Sequence, residues 1–266
     1  MNAPVAATED LIYSVEDGIA RLTFNRPQAR NALTFAMYEQ MAAICEAVNK
    51  DRAIKVMILT GAGDKAFASG TDISQFRAFK TAEDALEYEE RIDRVLGTLE
   101  RVRVPTIAAI AGACTGGGAG IAACCDIRIG TAATRIGFPI ARTLGNCLSV
   151  TNYARLLELV GPAHLKDLLF TGRLIDATEA KSVGLVSRMA EADTIDSVVK
   201  ELAQTIAANA PLTIRATKEA VRRILRSRRP EHEAIDDLIA QCYTSEDFRN
   251  AVAAFLDKKA PTFTGR

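Results

Sequence analysis

Pro105-Thr106-Ile107-Ala108-Ala109-Ile110, followed by Gly112 and then by Cys114-Thr115-Gly116-Gly117-Gly118-Ala119-Gly120, is the stretch on which the fold of this chain turns. An apolar run of that length suits a strand covered on both faces. The glycines after it, and the small residues of 119–125, read as a loop opening into a closely packed helix. Asp126-Ile127-Arg128-Ile129-Gly130 reads as the next strand. Upstream, Val56-Met57-Ile58-Leu59-Thr60 is a second apolar run ending in Gly61-Ala62-Gly63. Residues 12–16 and 19–24 read as strands around Asp17-Gly18, a hairpin signal. The apolar spacing predicts a helix over 34–49, and 82–102 reads as a charged helix. Downstream, helices are expected over 150–160, 163–170 and 177–183, with a last strand over 185–188. Residues 194–241 read as helical with a break at Pro211, and 248–258 closes the chain. Strands alternating with helices to about residue 190, then helices alone, predict a parallel-rich α/β core followed by a helical portion.

The chain has 266 residues, 48% of them hydrophobic and 25% charged, with 33 Lys plus Arg against 33 Asp plus Glu. A formal net charge of zero argues against a nucleic-acid or membrane-surface partner, which would call for a basic excess. No run is long and apolar enough to span a membrane. The opening segment, MNAPVAATED, lacks a basic start followed by an apolar stretch, so no signal peptide is expected and the location is read as cytoplasmic. Cys45, Cys114, Cys124, Cys125, Cys147 and Cys242 form no C-x-x-C pair and read as buried free thiols. His164 and His232 stand far apart, which supports neither a metal site nor a Ser-His-Asp triad.

Two glycine-centred segments follow apolar strands: Ala66-Phe67-Ala68-Ser69-Gly70-Thr71-Asp72-Ile73 and 114–120. The second opens a helix, where main-chain N–H groups lack intrahelical partners. If the two lie side by side, they present two N–H donors to one carbonyl oxygen, the recipe for an oxyanion hole. Tight helix–strand packing is the competing use of the same glycines. Gly61-Ala62-Gly63-Asp64-Lys65-Ala66 loosely matches a dinucleotide fingerprint, but no helix opens at once and Gly70 intervenes. No phosphate-binding P-loop motif is present.

The ordered set of segments is similar to the crotonase superfamily, the enoyl-CoA hydratase/isomerase family. It comprises 24–27 with 30–33, then 66–73, then Gly116-Gly117-Gly118 with 125–128, then 170–173 with 177–186, and the ending Phe263-Thr264-Gly265-Arg266. The resemblance spans roughly residues 10–266. It implies a spiral of repeated ββα units over residues 1–195 and a helical trimerisation region over 196–266. It also implies an acyl-CoA thioester substrate, no cofactor beyond that coenzyme A, and a homotrimer or a hexamer of paired trimers. By motif position the oxyanion donors are the backbone N–H groups of Thr71 and Gly117, leaving the side chain at 71 free to vary. Arg26 and Arg30, with Ala66, Phe67 and Ala68, look like the CoA-binding wall. Lys258 or Lys259, with Phe263, is a candidate to reach the CoA phosphates of a neighbouring subunit, with solvated tail charge as the alternative for the lysines.

The chain departs from this pattern at two positions. Hydratases of the family use two glutamates as acid and base; Gly120 and Ile140 stand where they are expected, and Ala141 follows. The segment beyond carries Arg142, Asn146, Cys147 and Ser149 instead. Arg142 is a candidate clamp for a carboxylate on the acyl group, since guanidinium matches carboxylate bidentately, with a surface or interface salt bridge as the alternative. Glu83, Glu87, Glu89 and Glu90 read as a solvated helix face, with donation of a carboxylate to the acyl pocket as the alternative. Three functions follow: an enzyme of enoyl-CoA hydratase/isomerase type stabilising a thioester enolate, a decarboxylase or lyase using Arg142, and a non-catalytic acyl-CoA-binding subunit.

Overall fold

Asp17 and Gly18 both take positive φ, 50° and 76°, the conformation of a two-residue hairpin whose twist matches its strands. They join β1 (Leu11–Glu16) to β2 (Ile19–Phe24) in antiparallel register. The protein is described here by a computed structural model covering residues 8–266. Residues 1–7, and with them the reading of the N-terminal segment, lie outside the described residues. Helix α1 (Phe35–Lys50) starts where the Thr34 hydroxyl accepts from the Met37 N–H at 3.2 Å, and it buries Met37, Tyr38, Met41, Ile44, Cys45 and Val48.

Three turns of a spiral follow. The first is β3 (Val56–Gly61), β4 (Ala66–Ala68) and α2 (Ala82–Glu100). The second is β5 (Thr106–Ile110), β6 (Ala113–Thr115) and α3 (Gly117–Cys124). The third is β7 (Ile127–Gly130), β8 (Arg135–Gly137), α4 (Ile140–Thr143) and α5 (Val150–Thr171). After these come β9 (Ile175–Asp176), α6 (Ala177–Ser182), β10 (Arg188–Met189), α7 (Ile195–Ala208), α8 (Pro211–Arg226), α9 (Asp236–Tyr243) and α10 (Glu246–Leu256). In each turn the first strand joins a six-stranded sheet, β1-β2-β3-β5-β7-β10. The second strand joins a four-stranded sheet, β4-β6-β8-β9. Pairing along the spiral is parallel in both sheets.

The ββα repeat that the resemblance implies calls for a second strand in each turn, but the short strands that form the second sheet show no pattern of their own in the sequence. Two or three residues are too few to show a period of two. The strand expected over 185–188 is also reduced: only Arg188 and Met189 pair with β7. Leu185 and Val186 are buried off the sheet, and the Leu185 carbonyl accepts from the buried Arg128 Nε at 2.7 Å. The break expected between the helices of α5 is present, at Gly161 (φ 72°, ψ 168°) before Pro162. The helical segment 196–266 is woven into the core. From α7, Ile195, Val199 and Ala203 cover one face of the six-stranded sheet against Val56, Ile58, Ile107 and Ile129. Lys218 of α8 donates to the Val104 carbonyl at 2.9 Å and to Asp126 at 2.6 Å. Arg229, after α8, pairs with Glu100 at 2.8 Å and Glu158 at 2.9 Å. No helix among the described residues is long and apolar enough to cross a membrane.

The loop between β2 and α1 hangs on Asn31, which is fully buried with φ 55°. Its Oδ1 accepts from the Arg26 N–H at 2.9 Å, and its Nδ2 donates to the carbonyls of Ala62 at 3.1 Å and Ala66 at 2.7 Å. Asn31→Ala leaves those buried groups without partners in a backbone conformation that asparagine tolerates better than alanine. A loss of about 2–4 kcal/mol is expected in urea unfolding; a change under about 0.5 kcal/mol contradicts this anchoring role.

Candidate active site

β4 and β6 are parallel neighbours, so the loops leaving their carboxyl ends start side by side. From β4 the chain passes through Ser69 and Gly70 (φ 107°) to Thr71; from β6 it passes through Gly116 (φ 52°) to Gly117, the first residue of α3. The Thr115 hydroxyl donates to the Ser69 carbonyl at 2.9 Å and ties the loops together. A Cβ at Gly70 would stand 3.3 Å from the Thr115 carbonyl oxygen and 3.8 Å from the Gly117 nitrogen. One side of the first loop is pinned to residue 33: Leu33 N–H donates to the Gly70 carbonyl and Asp72 N–H to the Leu33 carbonyl, both at 2.8 Å. That pairing leaves the N–H of Thr71 out. The N–H groups of Thr71 and Gly117 donate to no group among the described residues.

Both residues line one cavity of about 320 Å³. Its walls include Phe76, Ile92, Leu96, Phe138, Leu144 and Leu148, and Gly120 and Ile140 line it as well. Arg30 stands at its edge and is shared with a neighbouring cleft of about 290 Å³ between residues 27–31 and 62–66. A roomier cavity of about 590 Å³ lies between α3, α5 and α8. Neither glycine loop reaches it, whereas both border the smaller cavity.

The side chain of Thr71 is not free. Its Oγ1 lies 3.0 Å from the Tyr38 hydroxyl and 3.0 Å from the Tyr88 hydroxyl. Both tyrosines are buried, and burial pushes their hydroxyls well above the usual range, so they stay protonated. Beyond them lies Glu89, only 4% exposed, the one carboxyl group among the described residues lining the cavity. It accepts from the Tyr243 hydroxyl at 2.5 Å, and that hydroxyl accepts from Asn146 Nδ2 at 3.1 Å. Burial first, and nearby Asp93 in addition, push the Glu89 carboxyl up to about 8. Among the α2 glutamates Glu89 therefore corrects the expectation of a solvated face, whereas Glu83, Glu87 and Glu90 are exposed as expected. The signal was present in the sequence: Ala85, Tyr88, Glu89, Ile92 and Leu96 share one stripe at helical spacing.

The remaining candidates are dispersed. Arg26 is turned to Asp72, 3.1 Å away, and to the Ala32 carbonyl at 2.7 Å. Ala66, Phe67 and Ala68 form β4 and are buried; Phe67 packs edge-on against Phe24 with ring centroids 5.3 Å apart. These three reach a ligand only through main-chain atoms. Arg142 is exposed on α4 and does not line the cavity, because its Cβ side packs toward Gly172. Lys258 and Phe263 lie after α10, outside the cavity; the Phe263 ring comes 3.2 Å from where a Cβ on Gly145 would stand. Among the described residues no three His, Cys, Asp or Glu gather to hold a metal, and all six cysteines are free.

Residues 14–266 match the family described as Enoyl-CoA hydratase/isomerase. A short-chain-enoyl-CoA hydratase of Clostridium acetobutylicum is 34% identical over 94% of this chain and 95% of its own length. A crotonyl-CoA hydratase of Syntrophomonas wolfei is 33% identical over 98% of this chain and 100% of its own. Among solved structures, an enoyl-CoA hydratase/carnithine racemase of Magnetospirillum magneticum is 35% identical, covers 98% of this chain and 97% of its own, and superposes with a TM-score of 0.80.

Gly117 has no room for a side chain: a Cβ there would fall 2.0 Å from the Tyr38 hydroxyl oxygen and 3.1 Å from Thr71 Oγ1. Gly117→Ala is expected to spread the two loops and weaken ligand binding at least tenfold in calorimetric titration. Adding Tyr38→Phe, which removes the struck oxygen, restores part of the loss. Unchanged binding in Gly117→Ala contradicts the close apposition.

Proposed function

Because the chain belongs to the enoyl-CoA hydratase/isomerase family, we propose that it is an acyl-CoA enzyme. In this reading the N–H groups of Thr71 and Gly117 bind the thioester oxygen and stabilise the enolate formed from it. The observation that carries this is the pair of unpartnered main-chain donors, on two loops tied side by side, at one largely apolar cavity. A thioester is a good ligand for such donors. Its oxygen gains negative charge as the neighbouring carbon loses a proton, and each donor is worth about 2.7–4 kcal/mol to that charge. Apolar walls suit the acyl chain and strengthen the hydrogen bonds by keeping water out. The adjoining cleft supports a place for the nucleotide end of coenzyme A, with Arg30 between the two and Lys65 at the far rim.

The decarboxylase alternative loses its motive with Arg142 out of the cavity. A purely binding role leaves the buried Glu89 unexplained. Hydratase and crotonyl-CoA hydratase are names of relatives.

Direct recognition of the carbonyl is tested by titrating an acyl-CoA thioester against the matching thioether, which lacks that oxygen. The thioester is expected to bind at least tenfold more tightly; equal affinities contradict the proposed donors. For assembly, Leu212 at 77%, Val221 at 50% and Ile224 at 53% exposure on α8 support an apolar contact between copies. Light scattering at three or six chain masses is expected, and a monomer mass contradicts it.

A further inference from the structure

Gly120 and Ile140 bring no acid or base to the cavity, yet enolate formation needs a group that moves a proton. Among the lining residues the titratable groups are Arg30, Tyr38, Tyr88 and Glu89. The arginine is a permanent cation, and burial keeps the tyrosine hydroxyls protonated. Glu89 is left. Its place is tied to the oxyanion loops by contacts. Tyr88, its neighbour on α2, touches Thr71 Oγ1 at 3.0 Å, and Tyr38, on the other side of that oxygen, presses on Gly117. The carboxyl is held by Tyr243 from α9, which Asn146 holds in turn. Asn146 Oδ1 is buried without a partner among the described residues, and Asn146 lines the same cavity.

We propose that Glu89 is the catalytic proton carrier of this site, working alone, and that the reaction it suits is a one-base proton shift on an unsaturated acyl-CoA. The inference rests on the thioester reading above. The Glu89 carboxylate takes a proton from the carbon flanked by the double bond and the thioester carbonyl. The C–H electron pair moves into the conjugated system, and the thioester oxygen becomes the enolate oxygen between the N–H groups of Thr71 and Gly117. Protonated Glu89 then gives the same proton back at the far end of the conjugated system, the double bond moves into conjugation, and the enolate collapses to the carbonyl. No proton, electron or water is gained or lost. Addition of water would need a second group to take the water's proton while the first serves the carbon, and the cavity lining holds no second carboxyl.

The groups facing Glu89 set its titration. Tyr243 from α9 and the Ser149 main chain favour the ionised form, whereas burial and Asp93, one turn along α2, oppose it. Tyr38 from α1, with Tyr88, Cys147 and Tyr153, lies within reach of its charge. Asp93 itself is faced by Ser149 at 2.6 Å, His232 at 3.3 Å and Arg155 at 3.7 Å. The carboxylate forms as pH rises, so kcat/KM is expected to climb through about pH 8 and level off above it.

The test compares wild type and Glu89→Gln, which keeps an acceptor oxygen for Tyr243. Conversion of 3-hexenoyl-CoA to the 2-enoyl isomer and thioester affinity are followed in both. A fall of about 10²–10⁴-fold in isomerisation, loss of the pH limb and unchanged thioester affinity support the proposal. Tyr243→Phe serves as a second variant. It keeps the carboxyl but removes a hydrogen bond that favours its ionised form, so the limb should move to higher pH with activity retained above it. Isomerisation within threefold of wild type in Glu89→Gln overturns the proposal while leaving the thioester reading standing. So does a wild type that binds thioester and isomerises nothing. A wild type that shows no preference for thioester over thioether overturns both.

Discussion

The parallel pairing of β4 with β6 is the constraint on which the rest depends. Each strand has only three residues, and each ends in a glycine loop. Parallel strands share a carboxyl end, so the two loops must start next to each other. Glycine at 70 and 116 then allows positive φ, and glycine at 117 allows an approach that no side chain would permit. The result is a pair of main-chain donors placed by sheet topology. Donors of that kind lose little on reorganising when charge develops, and in a dry cavity they act at their strongest.

The second layer is made of side chains and reaches the site from distant parts of the chain. Tyr38 comes from α1, Tyr88 and Glu89 from α2, and Tyr243 from α9. A buried carboxyl left alone would impose a heavy desolvation penalty; here a tyrosine hydroxyl and a main-chain N–H offset part of it. The C-terminal helices are therefore part of the site's construction as well as a candidate contact between copies. Lys218 on Asp126 and Arg229 on Glu100 hold that region in place.

The fold is largely legible in the sequence, for identifiable reasons. The buried strands announce themselves as unbroken apolar runs, and Asp17-Gly18 is a turn with its own mechanism. The two glycine segments are visible as clusters after apolar runs, although tight helix–strand packing is a competing use of the same residues. What escaped was short-range or non-local. The four-stranded sheet is built from strands too brief to carry a period. Arg142 reads as a clamp from the chemistry of its guanidinium, yet on the short turn of α4 it stands in solvent. Glu89 looked like one of four surface glutamates, although its place beside Tyr88 on the Ala85–Leu96 stripe marked it as facing inward. Thr71 looked replaceable because only its main chain was assigned a task; the tyrosines that fix its hydroxyl lie 33 and 17 residues away.

The infrared carbonyl stretch of a bound acyl-CoA, read by isotope-edited difference spectroscopy with ¹³C at the thioester carbon, tests the pairing of Thr71 and Gly117 most directly. Two N–H donors on one oxygen polarise the bond, so the band should move to lower frequency on binding and move back in Gly117→Ala. A bound thioester whose carbonyl band stays at its position in water would show that the two amides do not meet on that oxygen.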